Sequence, residues 1–290
     1  MKTSISIILL CFMLAACGSA TVTGLVDMPA YKGTTVSSVT VRAFNTNSYR
    51  RTSGAAMATL LKGKLSDAGH VRVVNRGADG VLGGALRSSR LESNSWTDSR
   101  TDKKGQTHYT YYYRQQKSVT ADYELRTRGD TVAGSYTETF ERQYFSPNSP
   151  SEARSYAWAE QVIDDKLLTA LATRIMRDIS PHKEQVTFRF KDNGNDDLKL
   201  GVKYAQKGRF DQSLSIFRQV ADGATDTKTR AAALYNTGVI HEMRGEFEQA
   251  FSQYRDANQF DLREDLYLDA LTRVEKRVKE HRAFEAQTGK

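Results

Sequence analysis

Both cysteines of this chain, Cys11 and Cys17, stand at its N-terminal end, and that placement constrains every fold open to the rest. Downstream of Cys17 there is no thiol for a disulfide, a zinc site or nucleophilic catalysis. The remaining residues must therefore stabilise themselves by burying an apolar core. The segment that holds the cysteines has its own order. Met1-Lys2-Thr3-Ser4 opens it, an apolar run extends from Ile5 to Met13, and Leu14-Ala15-Ala16 precede Cys17. A charged start, a short apolar run and small residues before a cysteine fit export with cleavage, because so short a run does not span a bilayer stably. No later apolar run approaches the roughly 20 residues of a spanning helix.

Leu14-Ala15-Ala16-Cys17 resembles the lipobox of bacterial lipoproteins. The resemblance implies a signal peptide over residues 1–16, a lipid on Cys17 at the mature N-terminus, and acyl chains such as palmitate as the membrane anchor. Gly18 stands where enterobacterial lipoproteins retained at the inner membrane carry aspartate, which implies the outer membrane and domains facing the periplasm. The competing reading is an ordinary secretory signal with an incidental cysteine.

The 290 residues carry a formal net charge of +8. Nucleic acid is the usual partner of a basic chain, but an exported protein meets little of it, so none is expected here. Anionic headgroups, lipopolysaccharide phosphates or an acidic protein remain as partners. The plainer reading is that surface lysines and arginines keep the chain soluble.

Residues 17–36 are small, polar and without period, are broken at Met28-Pro29, and read as a lipidated tether. Residues 37–190 read as an α+β domain. Val39 to Phe44 alternates as a half-buried strand, and Met57, Leu60, Leu61 and Leu65 fall at helical spacing before Gly69. Val71 to Val74 and Val81 to Leu86 give two more strands, the second with glycines that suggest close approach to a neighbour. A polar insertion from Arg87 to Gln106 leads into Tyr109-Thr110-Tyr111-Tyr112-Tyr113-Arg114, which predicts a long hairpin with a mobile tip and a return through Tyr136, Phe140 and Tyr144. Ser149 and Glu152 have capping-box spacing, with Pro150 at the first helical position. Ile163, Leu167, Leu171, Ile175 and Ile179 then form a stripe that must be buried, Pro181 stops the helix, and Val186 to Phe190 is a last strand. A mixed sheet covered by two helices satisfies all these faces.

Ala68-Gly69-His70-Val71-Arg72-Val73-Val74-Asn75-Arg76 and Ala78-Asp79-Gly80-Val81-Leu82-Gly83-Gly84-Ala85-Leu86 resemble two phrases of a periplasmic domain shared by several proteins. These are the curli-secretion lipoprotein CsgG, the penicillin-binding-protein activator LpoB and the N-terminal domain of TolB. The resemblance implies the fold and little about function, because that fold serves pores, activators and adaptors alike. The tyrosine-rich hairpin from Trp96 to Leu125 is the nearest match to a CsgG-like membrane hairpin, but its tip is too charged to lie in lipid.

Residues 191–290 have a different grammar. Gly201 and Gly208 recur as Gly238 and Gly245, both offset by 37 residues, against about 34 for the tetratricopeptide repeat (TPR). The pattern resembles two TPR units, with a helix from Leu266 to Ala283 as the solvating cap. Gly201 and Gly238 would let paired helices approach, and Gly208 and Gly245 would make the turns. The resemblance implies a concave groove lined by Leu198, Val202, Ala205, Tyr235, Val239 and Glu242 that holds a mostly apolar segment of an envelope protein. The alternative is that these residues pack on the first domain.

The five histidines have no metal-ligand spacing, and neither a nucleophile elbow nor a phosphate loop is present. Asp192 to Asp197 lacks the glycine and closing glutamate of a calcium loop. No enzyme activity, metal or cofactor is expected. Tyr109, Tyr111, Tyr113 and Arg114 combine aromatic rings and charge as a second interface, although tyrosine also favours strands for its own reasons. The chain as a whole reads as a non-enzymatic outer-membrane lipoprotein, a periplasmic scaffold, adaptor or activator for cell-wall synthesis, secretion or motility machinery. The alternative is a ring-forming, CsgG-like export component.

Overall fold

The structure, a computed structural model, describes residues 19–46 and 52–289. Its strands are β1 (Ser19–Met28), β2 (Ser38–Val41), β3 (Asn45–Thr46), β4 (Arg72–Val73), β5 (Gly80–Ser88), β6 (Glu92–Thr101), β7 (Thr107–Thr127), β8 (Thr131–Ser146) and β9 (His182–Lys191). Its helices are α1 (Thr52–Ala68), α2 (Pro150–Ser155), α3 (Glu160–Ile179), α4 (Asp196–Gln206), α5 (Phe210–Gly223), α6 (Thr227–Met243), α7 (Phe247–Phe260) and α8 (Asp265–Thr288). The chain divides into two compact units. A sheet unit holds Asp27–Lys183 and the residues from Arg282 onward, and a helical unit holds Glu184–His281 and the described residues up to Val26.

In the sheet unit, α1 forms where Met57, Leu61 and Leu65 line one face, and Gly69 follows it at φ +75°. α3 buries the expected stripe from Ile163 to Ile179 and ends before Pro181. Both helices cover one face of a mixed sheet of order β4-β2-β5-β7-β6, with β3 also on β5 and β8 also on β7. β2 runs parallel to β4 and β5, whereas β5, β6 and β8 are antiparallel to β7. Strand β7 sets the two faces by strict alternation. Its odd residues from Tyr113 to Leu125 are all buried towards the helices, and the even ones between them face the other way. Gly84 fulfils the expected close approach, since a Cβ there would lie 2.0 Å from the Asp122 carbonyl oxygen.

β5 and β6 pair in succession along one edge of β7, and β8 takes the other edge. Ser88 lies opposite Val119 and Glu92 opposite Gln116, so four steps on one strand match three on the other. That extra residue is a bulge at Ser89–Leu91. The Ser89 N–H donates to the Ser118 carbonyl and its Oγ accepts from the Ser118 N–H, both at 2.9 Å.

The sheet unit also buries polar groups that no periodicity announces. Lys117 points from β7 to Glu160 at 2.7 Å and to Asp164, both at the start of α3. Asp178 accepts the hydroxyls of Tyr123 and Tyr136, the latter at 2.8 Å. Burial, then the Asp178 hydrogen bond, pushes the Tyr136 phenol up to about 12.

In the helical unit, the pairs α4–α5 and α6–α7 turn at Gly208 (φ +71°) and Gly245 (φ +77°). A Cβ on Gly201 would lie 2.4 Å from the Phe217 ring, and one on Gly238 would lie 2.7 Å from the Tyr254 ring. Only glycine lets these helices meet at their aromatic contacts. Strands β1 and β9 form a two-stranded sheet that belongs with this unit from Glu184 and up to Val26.

Three expectations are corrected. The tether at 17–36 contains strand β1, because Val22, Gly24 and Val26 face inward in alternation and Gly24 leaves room for Phe188. The domain break at 190/191 moves, because β9 buries Phe188 and Phe190 within the helical unit. The expected hairpin is present, with the ten-residue β6 as its first strand, and at its tip Asp102 Oδ1 accepts the N–H groups of Lys104 and Gln106, each at 2.9 Å. The helix begun at Pro150 stops at Ser155. There Gln115 engages both backbone groups of Trp158, at 2.9 and 3.0 Å, and α3 starts afresh beyond it. The capping box is half formed: Ser149 accepts the Glu152 N–H at 3.1 Å, but the Glu152 carboxylate serves Ser146, Asn148 and Tyr156.

Candidate interaction surfaces

The six residues assigned to a groove do not line one. Leu198, Val202 and Ala205 on α4, and Tyr235, Val239 and Glu242 on α6, are all buried, none more than 4% exposed. The chain's own strand β9 packs on this face. Tyr235 donates its hydroxyl to the Arg189 carbonyl at 2.9 Å, and Asn236 holds both backbone groups of Lys191 at 2.7 and 2.9 Å. Phe190 stacks on Phe217 with centroids 6.1 Å apart. The apolar side of a two-stranded sheet needs a layer to cover it, and the helix face supplies that layer.

Beneath the strand is a polar cluster built on the buried Glu242. Glu242 accepts the Tyr254 hydroxyl at 2.7 Å and two Arg273 nitrogens at 2.8 and 2.9 Å. Tyr235 packs between Tyr254 and Tyr267, at 5.4 and 5.1 Å. Burial pushes the Tyr235 phenol up to about 12, and burial followed by the Glu242 charge raises Tyr254 as well. Burial pulls the Arg273 guanidinium down, but the Glu242 hydrogen bond and charge outweigh it and raise the group. Glu242, Tyr235 and Tyr254 are buried and satisfied within the unit, so the cluster is structural, with part of the Arg273 side chain left exposed.

The second predicted set is split between the two faces of β7. Tyr113 is buried against Tyr144 and Ala153 under α2, and Tyr111 packs on the same small cluster. Tyr109 shares their side of the sheet, stacks on Tyr111 at 6.5 Å and is exposed. Arg114 lies on the outer face, 2.7 Å from Glu141 and 3.1 Å from Gln116, and its Nε is buried without a hydrogen-bond partner.

That outer face holds two rings that sequence reasoning left out of the candidate interface, Trp96 and Phe145, on either side of Tyr112. Trp96, Tyr112 and Phe145 stand directly opposite one another on β6, β7 and β8. Trp96 stacks on Tyr112 at 5.1 Å and 9°, and Tyr112 meets Phe145 at 6.4 Å. Phe145 is 64% exposed. The signal was the parity of β7: Tyr112 is out of phase with Tyr109, Tyr111 and Tyr113, so it belongs to the opposite face.

Elsewhere on this face, a depression of about 910 Å³ is floored by Gly83, Gly84 and Gly134. Of its charges, Arg126 is paired with Glu124 at 2.7 Å and Asp122 accepts the Ser135 hydroxyl at 2.6 Å. Among the described residues, no group of three or more His, Cys, Asp or Glu is placed to hold a metal ion. Asn193 (φ 46°) and Gly194 (φ +77°) form a tight turn, after which Asn195 caps α4 by accepting the Leu198 N–H at 3.0 Å. Cys17 and the signal segment lie outside the described residues.

Residues 199–277 match the model of a family described as a domain of unknown function, DUF6340. No curated protein matches the chain. Among solved structures it is similar to the PelC dodecamer from Paraburkholderia phytofirmans, at 15% identity over 55% of this chain and 98% of that one, with a TM-score of 0.29. It is similar to rare lipoprotein B from Shewanella oneidensis, at 13% identity over 48% and 91%, TM-score 0.25. A minor lipoprotein from Acinetobacter baumannii matches at 18% identity over 50% and 97%, TM-score 0.25. Two of these three are thus named as bacterial lipoproteins, but at such TM-scores the likeness carries no weight for mechanism. Among the described residues no helix is long and apolar enough to cross a membrane.

Proposed function

We propose that this chain is a lipid-anchored envelope protein, held by Cys17 at the outer membrane and facing the periplasm, that binds a protein partner as a non-enzymatic scaffold, adaptor or activator. The helix pairs resemble TPR units in spacing, but their expected groove is filled from within, so the partner surface lies elsewhere. The observation that carries this reading is the register of Trp96, Tyr112 and Phe145, three neighbouring rings on the face away from α1 and α3. Tryptophan, tyrosine and arginine are the residues that dominate interface cores, and Arg114, bound to Glu141 and Gln116, stands on the adjoining row. A lipid anchor confines that surface to one membrane and raises its effective concentration near a partner there.

The test is a photo-crosslinking residue at position 145 in living cells, read by mass spectrometry. The control is position 262, where Leu262 is 77% exposed but belongs to the helical unit. A protein adduct at 145 that is absent at 262 supports the reading, and identical adducts at both positions sink it. Cys17→Ser should release the protein from the membrane fraction and abolish palmitate labelling. Normal fractionation of that variant would remove the anchor from the proposal.

A further inference from the structure

Strand β6 ends the sheet path and, among the described residues, is paired on one side only, with β7. Its residues are exposed on both faces except for the half-buried Trp96, so burial contributes little to holding ten residues in a straight strand. It also lacks the usual guards of an exposed edge, having neither proline nor lysine. On the outer face its residues run Glu92, Asn94, Trp96, Asp98, Arg100, in step with Gln116, Arg114, Tyr112, Thr110 and His108 of β7.

This order is complementary to its own reverse. We propose that the free edge of β6 pairs with β6 of a second copy, antiparallel, about a two-fold axis at Trp96. In that register Glu92 stands opposite Arg100 of the second copy, and Arg100 opposite its Glu92. Asn94 stands opposite Asp98 in the same reciprocal way, and on the inner face Ser95 meets Thr97. Opposite charges and small hydroxyl pairs directly across two strands are the favourable cross-strand combinations. Neighbouring registers lose this match. Centring on Ser95 sets Glu92 against Asp98, centring on Asp98 sets that carboxylate against itself, and centring on Asn94 shortens the overlap. The Trp96 register also joins the two aromatic rows, so that Phe145, Tyr112 and Trp96 of each copy form one band of six rings. An isologous edge of this kind closes at two copies. The pairing stands apart from the partner reading above, because a dimer can form whether or not a protein adduct appears at position 145.

The experiment is density-matched sedimentation equilibrium of the full lipidated chain in detergent, with charge swaps at both ends of the strand. E92R alone and R100E alone each put like charges opposite one another, twice per dimer, and should weaken dimerisation about tenfold. The double variant E92R/R100E restores opposite charges across the axis and should return the association to near its original strength. Within one copy these positions are eight residues apart, about 26 Å along a strand, so rescue cannot come from an internal contact. The double variant also shows that neither swap acts by unfolding the chain. A chain that stays monomeric at its highest soluble concentration, or an assembly of any size whose strength ignores the swaps, overturns the proposal.

Discussion

Aromatic residues at regular spacing occur in both units, and they meet opposite fates. On α6 and its neighbours, Tyr235, Tyr254 and Tyr267 are fully buried, with β9 across them and Glu242 and Arg273 beneath. On β6, β7 and β8, Trp96, Tyr112 and Phe145 form a row that the helices of their own unit leave uncovered. A helix face with glycines, tyrosines and a glutamate looks like a place for a foreign peptide, yet the chain fills it with its own backbone. The hairpin that looks like a solvated insertion presents the exposed rings. Periodicity identifies which residues share a face; it does not say what will cover that face.

The contrast is sharpest for substitutions that separate sealed from open positions. Glu242→Ala leaves the Arg273 guanidinium and the Tyr254 hydroxyl without their acceptor, and should cost about 3 kcal/mol or more in urea denaturation. If Glu242 were groove surface the midpoint would hardly move. Within β7 alone, Tyr113→Ala should cost about 3 kcal/mol, as for other buried aromatic truncations, while Tyr112→Ala, half-buried and packed on two neighbouring rings, should cost only about 1 kcal/mol. Equal losses at the two positions would break the assignment of faces. Gly201→Ala drives a methyl into the Phe217 ring, and an overpacking cost of about 2 kcal/mol is expected from thermal or chemical unfolding.

Alkali should act on the raised phenols, Tyr136 partly buried and Tyr235 fully buried. Tyr136 and Tyr235 are held up to about 12 against 10.0 for the free group, so the folded state is favoured in full below pH 10 and loses that margin as pH rises towards 12. Absorbance titration should show a late phenolate step that shrinks in Tyr136→Phe and Tyr235→Phe. Titration of every tyrosine near 10 in the folded protein would contradict the burial. The smallest effect belongs to Phe145→Ala, which should change stability by less than about 0.5 kcal/mol yet remove any crosslinked partner.

The sheet-unit helices and the helix-pair glycines were legible in the sequence, because each depends on local spacing alone. Ile163 to Ile179 had to be buried wherever the chain led, and Gly201 and Gly238 marked close approach by their shared offset. β1 was not legible, since Gly24 sits at an inward position where a large apolar residue would have completed the alternation. β6 was legible only as the partner that a hairpin requires for β7, because a strand exposed on both faces has no hydrophobic period of its own. The groove failed for a different reason. Whether α6 receives a partner or β9 depends on residues 45 positions away, such as Lys191 against Asn236, and no local pattern records that choice.

The bulge at Ser89–Leu91 has a consequence for how the edge is written. It offsets β6 by one residue against β5, so odd positions face outward before it and even positions face outward after it. The three residues act as a phase shifter between two messages carried on one edge of β7. A chain one residue shorter there would turn the serines and threonines of β6 outward and fold Glu92, Trp96 and Arg100 towards the helices. With no change to any of the letters, the self-complementary text would be printed on the wrong side of the page.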